Sequence, residues 1–179
     1  MVVTKKEIED SINGKGDFVK IDHLTRFLKN DLPLDLKKLV YIKLAVIYDD
    51  KAMHSEAAKM YAKLAEISIA FREKVNFNVR EAEMFIKAAQ YDYADNSLKK
   101  AYTNASADEQ REIKKHIVNF HKNLAAEYEK KDRRSHAIQV YERLLKMNLL
   151  DFEKEEVRAR LKALYEKTGR LREYFSLKG

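Results

Sequence analysis

The residues best suited to catalysis or metal binding are the histidines and a pair of neighbouring carboxylates. His116 and His121 are five positions apart, which places them on different faces of a helix, whereas helical metal ligands are usually four apart. The chain has no cysteine, so it has no thiolate to act as a nucleophile or a ligand. Asp49 and Asp50 are adjacent, but the sequence shows no partner for acid–base catalysis. We predict no catalytic residue, no metal site and no cofactor, and a protein that is not an enzyme.

A second group of residues could bind the phosphates of a nucleic acid. The formal net charge is +7, and basic residues are dense between Arg111 and Arg134. Lysine and arginine neutralise phosphates, and an arginine can donate two parallel hydrogen bonds to one of them. Acidic residues interleave with these cations, so an ordinary solvated surface remains an alternative. The candidate nucleic-acid patch consists of Lys114, Lys115, Lys130, Lys131, Arg133 and Arg134.

The elements that carry these residues are predicted to be helices throughout. Glycine occurs four times and proline once, too few for the turns of a β-sandwich or barrel. Thr4 and Glu7 have the spacing of a capping box, which predicts a first helix to about Ser11. A turn over 13–16 separates it from a second helix, which ends before Pro33. The predicted apolar face of that second helix consists of Phe18, Ile21, Leu24, Phe27 and Leu28.

After Pro33 one residue pattern recurs along the chain. Residues 3, 12, 16 and 19 positions after Ala45 are Tyr48, Ala57, Tyr61 and Leu64, and the same offsets from Ala82 and Ala125 give small, aromatic and apolar residues. A fourth, degenerate copy starts at Lys162. Small residues let two helices cross closely, and an aromatic side chain fills the groove beside them. The pattern therefore predicts stacked antiparallel helical hairpins at 38–72, 75–108, 118–150 and 155–179, behind an N-terminal hairpin cap at 1–33. Ser55–Arg72 is predicted to be one long helix.

These copies resemble the tetratricopeptide repeat (TPR) in a divergent form. Its small residues correspond to Ala45 and Ala57, its aromatic residue to Tyr48, and its inter-helix turn to residues 165–174. Successive second-helix alanines, Ala57, Ala94 and Ala137, are 37 and 43 residues apart, wider than the family's usual spacing and similar to the extended repeats of SNAP-type adaptors. The resemblance implies an all-α fold of about ten helices, forming a short right-handed superhelix (an α-solenoid).

The resemblance also implies a concave groove lined by the first helix of each hairpin. By the family's pattern the groove residues are Ile42, Val46, Asp49, Asn76, Val79, Glu83, Asn119, Lys122, Lys130 and Arg160. Such a groove suits a peptide or an amphipathic helix. We therefore predict a non-catalytic protein–protein interaction scaffold or adaptor, and the alternative is a helical-repeat nucleic-acid binder that uses the basic 111–134 surface. Coverage of Leu39, Ile42 and Val46 by the N-terminal helices remains open.

Two further expectations concern location and self-association. No apolar run reaches the roughly 18–20 residues of a membrane span, and the N-terminus lacks an apolar stretch of signal-peptide length. We expect a cytoplasmic protein with no membrane insertion. The last predicted helix carries Leu171, Tyr174, Phe175 and Leu177, so its apolar side could dock on a second copy of the chain.

Overall fold

A computed structural model describes residues 3–177, which form ten α-helices and no strand. The all-α class and the expected number of helices are confirmed. Within the same residues, no helix combines the length and the apolar composition needed to cross a bilayer. The helices are α1 Lys5–Ile12, α2 Asp17–Phe27, α3 Leu34–Asp50, α4 His54–Ile67, α5 Phe71–Lys87, α6 Tyr91–Thr103, α7 Ala107–Lys130, α8 Arg134–Leu145, α9 Asp151–Thr168 and α10 Leu171–Ser176.

The chain divides into two compact units, one extending to Asp108 and the other beginning at Glu109. In the first unit each helix packs on the next, from α1 to α6. In the second unit α9 packs against both α8 and α10. Side-chain contacts join α7 to its neighbours there, since Tyr141 bonds Glu129 and Lys122 bonds Glu153.

The N-terminal hairpin packs on α3 through an apolar core. The Thr4 hydroxyl accepts a bond from the Glu7 amide at 3.3 Å, and the Glu7 carboxylate accepts one from the Thr4 amide at 2.7 Å, which confirms the capping box. The buried residues of this core are Ile8, Leu24, Leu32, Leu36, Val40 and Leu44. The predicted apolar face of α2 is wrong at Phe18, which is 73% exposed. Six residues of helix rotate Phe18 about 120° away from Leu24, so it misses the core.

Four inter-helix turns have the same backbone conformation. The joints of α3–α4, α5–α6, α7–α8 and α9–α10 each contain one residue with φ between 53° and 70°: Ala52, Ala89, Asp132 and Gly169. In each turn the next amide bonds the carbonyl five positions back, as in Met53 to Tyr48 at 2.8 Å and Arg170 to Tyr165 at 2.9 Å. These bonds form the Schellman motif, which satisfies the last carbonyls of the first helix.

Side-chain packing repeats in the hairpins as well. All six alanines that define the first three sequence copies are at most 2% exposed. The aromatic residue of the first helix contacts the residue just before the second-helix alanine: Phe85 stacks on Tyr93, and Tyr128 lies beside His136, each with ring centroids 5.3 Å apart. The tyrosines of the first and third copies are half-buried (Tyr48, Tyr61 and Tyr128) or buried (Tyr141), as expected for aromatic side chains that fill the groove between helices.

One predicted element is wrong. Ser55–Arg72 is not one helix, because α4 ends at Ile67 and α5 begins at Phe71. Ser68 has extended backbone, and its hydroxyl donates to the Leu64 carbonyl at 2.7 Å, which satisfies the end of α4. The wide spacing between Ala94 and Ala137 arises instead from α7, which has 24 residues where α3 and α5 have 17 each.

Candidate partner-binding site

One face of α3 remains partly exposed although the helix is packed on two sides. Ile42 is 40% exposed and Val46 is 49% exposed. Asp50 follows at the same spacing of four residues, so the three side chains lie along one face. Val40 and Leu44 are buried in the N-terminal core. The exposed face is therefore an apolar strip that ends in a carboxylate.

This strip lines an open cleft of about 610 Å³, which we call the N-terminal cleft. The other wall is the end of α1, the turn after it and the start of α2. Two ion pairs join the walls: Lys43 to Glu9 at 3.9 Å, and Lys51 to Asp17 at 2.7 Å. The N-terminal helices thus pack against Leu39 but leave Ile42 and Val46 half exposed. The sequence did not decide whether these helices cover the three side chains, and in the structure they cover them only in part.

Asp49, another predicted groove residue, is already paired with side chains of the neighbouring helices α4 and α5. The Lys87 ammonium bonds both of its oxygens at 2.8 Å, and His54 Nδ1 lies 3.0 Å from Oδ1. Burial lowers the pKa of His54, and the nearby Asp49 carboxylate only partly opposes that effect. This cluster ties α3 to α4 and α5 and leaves Asp49 with little capacity for a partner.

The predicted groove residues of α5 are not equally accessible. Asn76 is exposed and Val79 is half-buried. Glu83 is 1% exposed, and it accepts a bond from Arg80 at 2.9 Å. The expectation that Glu83 faces a partner is therefore wrong, because the fold buries its carboxylate beside an arginine.

In the second unit the predicted groove residues take part in helix packing or lie in solvent. Lys122 bonds Glu153 at 2.7 Å, which joins α7 to α9 and lowers the pKa of that carboxyl. Arg160 lies 3.9 Å from Glu129, which also accepts the Tyr141 hydroxyl at 2.6 Å. Burial and this carboxylate together raise the pKa of Tyr141. Asn119 and Lys130 are exposed on α7.

The candidate nucleic-acid patch extends along α7 and into the turn that follows it. Lys114 precedes Lys130 by sixteen positions of α7, a rise of about 24 Å. At the turn between α7 and α8, Lys131 pairs with Glu127, and Arg134 pairs with Asp132 at 2.8 Å. Lys130 and Arg133 are exposed there. Two of the four cations at this turn are thus neutralised locally.

Sequence reasoning missed the contribution of the N-terminal hairpin to the cleft. Ile12, Asp10 and Asp17 line it opposite α3, but they belong to a segment predicted only to cap the repeats. The available signal was the set of acidic residues on both sides of the 13–16 turn. Among residues 3–177 no three His, Asp or Glu side chains are grouped so that they could hold a metal ion.

Comparison with protein-family models and with curated proteins finds no match for this chain.

Proposed function

We propose that the protein is a non-catalytic interaction adaptor of the TPR-like type that binds a peptide or helix of a partner protein at the N-terminal cleft. The observation that carries the proposal is the half-exposure of Ile42 and Val46 in a cleft of about 610 Å³. An apolar strip framed by charged side chains is the kind of surface that receives an amphipathic helix.

The repeated architecture supports this assignment. Four hairpins share one turn conformation, and the alanines that define the first three sequence copies are buried. Repeated hairpins stack into arrays whose extended surfaces commonly bind other proteins. The absence of cysteine from the sequence suits work in a reducing compartment such as the cytoplasm.

Site-specific photo-crosslinking in cells of the source organism tests the proposal. A benzoylphenylalanine in place of Ile42 or Val46 should form protein adducts that mass spectrometry identifies. The control is the same replacement at Phe18, which is exposed in the same unit but does not line the cleft. Equal labelling at Phe18, or no protein adduct at either cleft position, would contradict the proposal. Adducts with nucleic acid would favour the alternative function.

A further inference from the structure

We infer that the N-terminal cleft selects a cationic, apolar peptide segment of another protein, an inference that rests on the proposed function. The segment would place an apolar side chain on the strip formed by Ile42 and Val46. Its lysine or arginine side chains would pair with Asp10 and Asp50, which line the same cleft.

Carboxylates outnumber lysines among the charged side chains that line the cleft. Four carboxylates and two lysines line the cleft, and Lys51, which does not line it, pairs with one of the carboxylates. Both lysines are already paired, Lys43 with Glu9 and Lys20 with Asp17 at 3.3 Å. Asp17 is also bonded by Lys51, and these two lysines hold its pKa below the usual value for an aspartate.

Asp10 and Asp50 are the carboxylates that remain. Both are exposed, and neither has an ion-pair partner within residues 3–177. A cation that enters the cleft would find these two charges available without breaking an existing pair. An acidic segment would meet these two unpaired carboxylates, and like charges brought together at an interface oppose binding.

The apolar strip limits the size of the occupant. Ile42 to Asp50 spans eight helical positions, about 12 Å of rise. That length matches roughly two turns of a partner helix or a few residues of extended chain. A purely cationic ligand would leave Ile42 and Val46 in contact with water, so the matching ligand has an apolar anchor as well as positive charge.

A selection from a random twelve-residue peptide library, displayed on phage and panned against the full chain, tests the inference. Selected peptides should carry an apolar residue flanked by Lys or Arg, and they should lose binding to Val46→Glu. Fluorescence anisotropy of the synthetic peptides should show about tenfold weaker binding to the double variant Asp10→Asn/Asp50→Asn, with further weakening in high salt.

The matched control is Asp31→Asn, which removes an exposed carboxylate of the same unit outside the cleft and should leave affinity unchanged. Circular dichroism of Val46→Glu verifies that the fold persists, and Ile42→Gln provides a second, milder change in the strip.

The outcomes separate the inference from the function on which it rests. Peptides that depend on Val46 but lack excess positive charge, or that bind the double Asn variant equally well, would overturn the inference and leave the cleft as a peptide site. If no selected peptide depends on Val46 or Ile42, both proposals fail. If light scattering shows self-association that Val46→Glu abolishes, the occupant of the cleft is a second copy of the chain. That result would overturn the inference that a segment of another protein binds there.

Discussion

Single residues in the inter-helix turns have backbone conformations that their side chains disfavour. Ala52, Ala89 and Asp132 have positive φ values of 53–56°, while the fourth turn has Gly169 with φ of 70°. The left-handed region brings Cβ close to the following carbonyl oxygen, and glycine avoids this contact. The chain therefore carries local strain at three turns that it avoids at the fourth.

Replacing the two turn alanines with glycine should stabilise the protein. We expect Ala52→Gly and Ala89→Gly each to raise the free energy of unfolding by about 0.5–1 kcal/mol, because relief of strain exceeds the added entropy of the unfolded chain. Gly169→Ala should lower it by about 1 kcal/mol, although its Cβ would meet no atom within 4 Å. Thermal unfolding measures these changes.

The control for this prediction is Ala159→Gly, at an exposed helical position. It should destabilise by about 0.5–1 kcal/mol, since glycine is unfavourable inside a helix. Destabilisation by Ala52→Gly and Ala89→Gly as well would show that these two alanines do not have the left-handed conformation in solution.

His54 should make stability depend on pH. Its folded-state pKa lies below the usual 6.5, so between that value and 6.5 the unfolded chain binds more protons than the folded protein. Stability should therefore fall as the pH drops below about 6.5 and be full above it. The charged groups that face His54 are Asp49 and Lys87.

Urea unfolding at pH 5.5 and 7.5 measures this effect for the wild-type chain and His54→Gln. In the variant, the free energy of unfolding should differ less between the two pH values than it does in the wild-type chain. Carboxyl groups with lowered pKa, such as those of Glu73 and Glu153, contribute stability that is lost only below about pH 4.5. Their effect therefore lies outside this pH range. An unchanged difference in His54→Gln would contradict the assignment.

At the scale of elements, the hairpins bury small residues of their second helices. Ala57 and Ala137 are both fully buried, each on the second helix of its hairpin. Ion pairs join successive first helices: Lys38 bonds Glu73 at 2.6 Å across α3 and α5, and Lys122 bonds Glu153 across α7 and α9. Close packing fixes the crossing, while these polar contacts at half-exposed positions contribute less.

Enlarging either alanine should disturb the crossing. We expect Ala57→Leu and Ala137→Leu each to lower the free energy of unfolding by about 1–3 kcal/mol, because a well-packed core has no room for the added carbons. Ala159→Leu is the exposed control and should change stability by less than about 0.5 kcal/mol. Melting temperatures of Ala57→Leu and Ala137→Leu equal to that of the wild type would refute the helix alignment.

At the scale of the whole molecule, the net charge of +7 is distributed among acidic neighbours. Many basic side chains have an acidic partner on the same helix, for example Arg26 with Asp22 at 2.7 Å and Lys59 with Glu56 at 2.7 Å. Such pairing reduces the number of cations able to replace the counterions of a nucleic acid. In the N-terminal cleft the carboxylates of Asp10 and Asp50 have no ion-pair partner within residues 3–177.

We expect no binding of generic single- or double-stranded nucleic acid at physiological salt, measured by fluorescence anisotropy. If binding occurs at low salt, the affinity should fall only slowly as salt is added, because few cations are able to neutralise phosphates. Each neutralised phosphate of duplex DNA contributes a slope of about −0.9 in log affinity against log salt. Tight binding at physiological salt, lost when Lys130, Lys131, Arg133 and Arg134 are replaced, would instead support the nucleic-acid function.

The amino-acid sequence determined the helical class, the hairpins and the buried alanines, because these depend on local periodicity and on residue size at fixed offsets. The capping box at Thr4 was predictable for the same reason, since it involves residues three apart. Only the tertiary structure decided which side chains remain open. Ile42 and Val46 are half exposed because α1 and α2 form the opposite wall of the cleft and do not cover them. Glu83, in contrast, is buried. Accessibility depends on contacts between distant segments, which no local pattern encodes.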